Sequence, residues 1–285
     1  MAETKPTATV KASTSAPAKA SGNAISYLAP ILCILAGYLI WRFILGNPSG
    51  FKTVGTGWFW PEHDGPKNAL NKMYLGGIIV PILIGSFLTM LTFVIERFLT
   101  ISKATGTGNN ADFIRKVQYE LANKNVDAAI AACDRQKGCV GNVMKAGLHK
   151  YKEMIHNNEL STDQKVMAIQ KEVEEATALE LPMLEKNLVF LSTIASVATL
   201  LGLLGTVLGM IRSFSALGEG EGGGDAASKL SVGISEALYN TALGIGTSAF
   251  AIIFYNMFTT RIDGITYSID ESGFTLTQSF ASLYK

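Results

Sequence analysis

The chain has 285 residues, of which 48% are hydrophobic and only 16% charged, with a net charge of +1; soluble domains usually carry about 25% charged residues. Lysines that alternate with Glu and Asp exclude a basic nucleic-acid footprint. The three cysteines, Cys33, Cys133 and Cys139, have no CxxC spacing and support neither a disulfide framework nor a zinc site.

Charges crowd into residues 103–187 and nearly vanish from 188–211 and 237–260, the distribution of a polytopic membrane protein. Residues 1–24 are dominated by Ala, Thr, Ser, Lys and Pro and predict a disordered tail. Residues 25–45 form a first apolar stretch, with Arg42 placed to snorkel to the interface. Lys5, Lys11 and Lys19 keep a signal peptide open as the competing reading, but no Ala-x-Ala site follows, so an uncleaved N-terminal helix is expected, spanning the membrane or lying on it. Residues 46–72 hold Phe51, Trp58, Phe59 and Trp60, which suit a loop whose rings rest at the membrane surface. A second apolar segment covers 73–99, includes Pro81, and ends at Glu96-Arg97.

Residues 100–187 read as a helical insert. Residues 112–121 and 126–136 predict two helices, and Ser161-Thr-Asp-Gln164 opens a further one as a capping box. From Thr162 the pattern runs without a glycine break past Pro182 and Glu185 into the apolar segment 188–214. One helix that begins in water and ends across the membrane is therefore expected, joining insert and membrane mechanically. A polar, glycine-rich connector at 215–229 follows, then a last span at 230–260 and a polar C-terminal helix or tail at 261–285. Lys and Arg placement puts the tail, insert and C-terminus in the cytoplasm and the two remaining loops outside. The fold class expected is all-α, a polytopic helical membrane protein.

Two spans carry a polar seam. Ser192, Ser196, Thr199, Leu203, Thr206, Met210 and Ser213 recur at helical spacing, beside a stripe of small residues at Gly202, Gly205 and Gly209. Taken alone, such a stripe is explained by packing and interhelical hydrogen bonding. In the last span Glu236, Asn240, Leu243 and Thr247 share a face, flanked by Thr241 and Ser248. A carboxylate within a span is a functional-site hypothesis by default. Because Glu236 lies only a turn or so past Leu230, a solvated interfacial residue is the alternative. Phosphate-loop, HExxH and GxSxG patterns are absent, and His63, His149 and His156 lie outside the spans. Neither an enzyme, a cofactor nor a metal is expected.

Leu200-Leu-Gly-Leu-Leu-Gly-Thr-Val-Leu-Gly209, Gly233-Ile-Ser-Glu-Ala-Leu-Tyr-Asn-Thr-Ala-Leu-Gly244 and Tyr255-Asn256, in this order after a helical insert, resemble the ExbB/TolQ/MotA family of ion-driven inner-membrane motors, and the ExbB branch most closely. Val126-Asp-Ala-Ala-Ile-Ala-Ala-Cys133 and Ala146-Gly-Leu148 add to the likeness, which covers about residues 74–262. The resemblance implies three family transmembrane helices, with 25–45 as an extra N-terminal one, in the bacterial inner membrane. It also implies a homopentamer around two copies of an ExbD-like partner that carries the proton-binding Asp, with a TonB-like protein receiving the work. Thr206 and Thr241 would then line the pore, Glu236 would lie near the outer end of the ion route, and Ser196, Thr199, Asn240 and Thr247 would support the seam. TolQ-like envelope work, a gliding or flagellar stator, and a structural membrane scaffold are the alternatives, and proton or sodium use stays open. The family's proline in the last span is missing, with Phe250 in that region.

Overall fold

The computed structural model describes residues 22–218 and 224–284. Most of the expected tail at 1–24 and the middle of the connector at 215–229 lie outside the described residues. Helix α1 (Gly22–Ile40) continues into a π-helical turn at Trp41–Leu45. Its Leu28, Ile31, Leu32, Leu35 and Leu39 are exposed, a stripe at helical spacing, whereas Gly37 is buried. A Cβ on Gly37 would come within 2.6 Å of the Gly85 nitrogen in helix α3 (Ile79–Ala104), so the two backbones touch where neither residue has a side chain.

Between these helices the chain builds a small unit with its own core. A short 3₁₀ turn at Pro48–Gly50, capped by the Asn47 side chain, leads into strand β1 (Phe51–Thr53), which pairs antiparallel with β2 (Asp64–Pro66) before helix α2 (Ala69–Tyr74). Trp41 is stacked between Trp60 and Tyr74, with ring centroids 4.1 and 4.3 Å away. Its indole N–H donates to the Tyr74 carbonyl at 3.1 Å, and the Tyr74 hydroxyl donates to the Pro61 carbonyl at 2.6 Å. Aromatic burial with the polar tips of Trp41 and Tyr74 bonded is what lets so short a loop hold one conformation.

The insert comprises α4 (Asn110–Ala122), α5 (Val126–Gln136), α6 (Gly138–His156) and α7 (Thr162–Glu185). Asn109 and Asn125 cap α4 and α5, and Ser161 and Gln164 form a reciprocal capping box on α7. Helix α6, which the periodicity did not single out, supplies Val143, Met144 and Leu148 to the core beside Val117, Leu121 and Ile169. Burial in this core pushes the Cys133 and Cys139 thiols up to about 12, so both are inert as nucleophiles.

Helices α8 (Leu188–Gly218) and α9 (Gly224–Leu283) complete the chain. Two features differ from the sequence reading. The expected single helix from Thr162 into the membrane is divided at Lys186 and Asn187, just past Pro182, whose ring cannot supply an N–H to the ladder. Conversely, no break separates the last span from the C-terminal segment: α9 is one helix of 60 residues, about 90 Å long at 1.5 Å per residue. Its N-terminal half packs along α8; its C-terminal half buries Phe258, Ile262, Ile265, Ile269, Leu276 and Phe280 in the core of the insert. Mechanical continuity between membrane part and insert therefore resides in α9. Among the described residues four helical stretches are long and apolar enough to cross a membrane: Leu28–Leu45, Ile79–Ala104, Thr162–Ser215, which runs through the turn between α7 and α8, and Leu230–Leu283.

Candidate functional site

The centre of the site follows from how closely α8 and α9 pack. A Cβ on Gly244 would lie 2.8 Å from the Gly202 Cα and 2.5 Å from the Ala198 carbonyl oxygen, so no larger residue fits at this crossing. That approach brings Thr206 of α8 and Thr241 of α9 together, their hydroxyl oxygens 2.5 Å apart. Both hydroxyls also lie within hydrogen-bond distance of the Gly202 carbonyl oxygen, at 3.2 and 3.1 Å. Two hydroxyl hydrogens serve three contacts, so at any instant one contact is without a proton. The order of donors can reverse by rotating two hydroxyls. Neither threonine is fully buried, which leaves the pair open on one side to a third polar group. Such a group is met equally well as donor or acceptor.

Next to Thr206 the surface opens into a concave apolar groove of about 590 Å³, lined by Thr206, Val207, Met210, Ile211, Phe214 and Ser215. Leu200, Leu203 and Val207 are exposed on this side of α8, as are Ser196 and Thr199, and the chain's own helices do not cover them. Ser196 bonds back to the Ser192 carbonyl at 3.4 Å.

The remaining seam residues point elsewhere. Asn240 is 1% exposed and faces Gly205 and the turn before α3, donating to the Gly76 carbonyl at 3.1 Å, while its side-chain oxygen has no partner among the described residues. Thr247 is buried and bonds the Leu243 carbonyl of its own helix at 2.8 Å, and the adjacent Ser248 reaches across to the Ala195 carbonyl at 2.5 Å. Glu236 is half-buried in a recess of about 140 Å³ with Pro66, Lys72, Ser231, Val232 and Ser235. It therefore sits where α9 meets the unit between α1 and α3, five residues before Thr241 and separate from the hydroxyl pair. Besides Lys72 in the recess, the charges of Arg212 and Asp64 act on it. Arg212, which the sequence did not single out, lays its guanidinium against Gly77.

A second polar cluster was visible in the sequence only as the end of a span. Arg97 is buried at 3% exposure and forms a two-point ion pair with Glu96, its Nε and Nη2 at 2.6 and 2.5 Å from the carboxylate oxygens. Its Nη1 donates to the Leu184 and Met183 carbonyls at 3.0 and 3.4 Å, the acceptors an unbroken helix would offer to Leu188 and Asn187. Asn187 and Thr100 donate to the Glu96 carboxylate. The division between α7 and α8 is thus held by a side chain from α3.

Residues 135–271 match the MotA/TolQ/ExbB proton channel family. Biopolymer transport protein ExbB-like 3 of Synechocystis is 43% identical over 86 residues, 30% of this chain and 41% of its own length. Biopolymer transport protein ExbB of Helicobacter pylori is 41% identical over 93 residues, 33% of this chain and 62% of its own. The Tol-Pal system protein TolQ of Pseudomonas aeruginosa is 30% identical over 122 residues, 43% of this chain and 52% of its own. In each case the match spans less than two thirds of the relative. The glycine crossing of Gly202 and Gly244 and the Thr206–Thr241 hydroxyl pair both lie within residues 135–271, the stretch of this chain that matches the MotA/TolQ/ExbB proton channel family.

Proposed function

We propose that this protein is an ExbB-like subunit of a proton-motive-force-driven motor in the bacterial inner membrane, with its insert and C-terminus in the cytoplasm. The observation that carries the reading is the Thr206–Thr241 hydroxyl pair opening beside an uncovered apolar groove. In this reading five copies surround two transmembrane helices of an ExbD-like partner, and an Asp on that partner meets the hydroxyl pair. A hydroxyl accepts from a protonated carboxyl and donates to a carboxylate, so the pair accommodates both states without a fixed charge that would trap either. The spans of this chain supply no such Asp: Glu236 is the single acidic residue within 188–214 and 230–260, and it stands apart. Each elementary charge crossing roughly 100 mV makes about 2.3 kcal/mol available. The long α9 helix would carry the resulting displacement to the insert, and a TonB-like protein would take the work to outer-membrane uptake. Glu236, at the outer recess, is assigned a part in ion access.

The TolQ relatives favour one second reading, an envelope-integrity motor of the same architecture. Purification from native membranes with counting of co-purifying chains tests the class: five copies holding two of a single-span, Asp-bearing partner support it, and a homo-oligomer lacking such a partner would overturn it. Deletion of the gene then separates the readings, since loss of energised uptake marks the first and outer-membrane leakage the second.

A further inference from the structure

The segment 54–60, Val-Gly-Thr-Gly-Trp-Phe-Trp, carries no charge and includes two of the chain's three tryptophans. It folds down along α1 and is held there. Phe59 stacks on Tyr38 with ring centroids 5.1 Å apart, the Tyr38 hydroxyl donates to the Phe59 carbonyl at 2.7 Å, and Trp60 stacks on Trp41. Tyr38 belongs to the apolar stretch Leu28–Leu45, about 10 Å along the helix from Leu45 at 1.5 Å per residue. Three, four and seven residues before Tyr38, on the same face of α1, stand Leu35, Ile34 and Ile31, all exposed. Phe59, 62% exposed, is brought onto that face by its stacking on Tyr38, and the adjacent Trp58 is 91% exposed.

A stripe of this kind on a membrane-length helix faces acyl chains. From this continuity we infer that residues 54–60 form an interfacial anchor, with Trp58 and Phe59 immersed where the acyl chains meet the lipid headgroups. The occupant of the exposed aromatic face is lipid. Indole and phenyl rings suit that depth, because an apolar body lies among chain ends while the indole N–H still reaches polar headgroup atoms. Since Trp60, Pro61 and Tyr74 fix the loop from behind, the rings are presented rigidly. The anchor would hold the unit between α1 and α3 at one depth in the bilayer, and it does not depend on what the motor drives.

The test uses the full chain in phosphatidylcholine vesicles. Trp58 emission is isolated as the difference between the wild type and Trp58→Phe, a change at an exposed ring that leaves the stacked Trp41 and Trp60 as reporters of an intact fold. The Trp58 component is expected to be lost with phospholipids brominated near the headgroup end of the acyl chains, less affected by bromines near the bilayer centre, and insensitive to aqueous iodide. Quenching by iodide would overturn the proposal by placing the ring in water. Protection from both quenchers would overturn it as well, by placing protein, a second copy or another chain, over the same face.

Discussion

Gly202 and Gly244 stand against each other where α8 crosses α9: a Cβ on Gly244 would lie 2.8 Å from the Gly202 Cα, and one on Gly202 3.1 Å from the Gly244 Cα. This contact sets the separation of the two helices and hence the distance between the hydroxyls of Thr206 and Thr241. Gly244→Val is expected to force the helices apart at a cost of ~1–3 kcal/mol, the usual penalty of overpacking a close contact. A Thr206→Cys, Thr241→Cys pair should form a disulfide readily in the otherwise native chain and lose it when Gly244→Val is added. Undiminished cross-linking would mean that the glycine crossing does not control the site.

Thr206→Val and Thr241→Val each remove one hydroxyl with little change of shape. Each is expected to alter thermal stability by ~1 kcal/mol or less, the net worth of an ordinary hydrogen bond. Motor-dependent uptake should nevertheless fall about tenfold per substitution, if each hydroxyl contributes ~1.4 kcal/mol to the moving ion's path. Serine at either position keeps the hydroxyl and should retain most activity. Uptake measured at equal membrane levels decides the matter, and an equal loss for Ser and Val would point to packing.

Arg97 joins two helices, pairing with Glu96 on its own α3 and donating to the carbonyls that end α7. Arg97→Met leaves those acceptors without their donor and is expected to destabilise the protein by ~2–3 kcal/mol, as for a lost bond to a charged group. Because Glu96 is partly exposed, Glu96→Gln should cost less, and the double variant should cost less than the sum. Lysine at position 97 should not rescue, since one ammonium cannot reproduce the planar fork. Thermal melts of the four proteins in one detergent complete the cycle.

His63 is buried between Phe51 and Tyr74, and its Nδ1 accepts the Gly55 N–H at 3.2 Å. Burial lowers its pKa below the usual 6.5; the Gly46 carbonyl pulls weakly the other way, and Arg42 adds to the lowering. A depressed native value means that the neutral ring contributes stability in full above about pH 6.5 and loses it as pH falls through the native value. Acidification from pH 7.5 to 5 is therefore expected to loosen the unit between α1 and α3, read from Trp41 and Trp60 emission. His63→Phe should remove that pH dependence, and an unchanged profile in the variant would exclude His63 as its source.

The division into spans and insert was legible because hydropathy and charge segregate along the chain on the scale of whole helices. Thr206 was legible in a stripe of hydroxyls at helical spacing and Thr241 as a flank of the Glu236 face, and the family resemblance of the motifs that hold them made both candidates for the pore. Arg212 was not, since one cation at the end of a span reads as a snorkelling residue until its contact with Gly77 is seen. Asn240 reads as part of a face shared with Glu236, but a helical wheel does not say which neighbour each flank meets.

By itself the sequence determined the class of molecule, the approximate membrane segments, the caps of the insert helices and the residue types available to handle an ion. These follow from local composition and period. Tertiary structure alone decided that α9 runs unbroken into the insert while α7 and α8 are divided, because helix continuity there depends on the partners of each turn. The C-terminal half of α9 is sustained by the insert core, whereas the carbonyls at the end of α7 are taken by Arg97 from a distant helix. It also decided that Thr206 meets Thr241 and that Glu236 stands apart, because contact across two helices is set by their crossing and their rotation about their axes, which no single helix encodes.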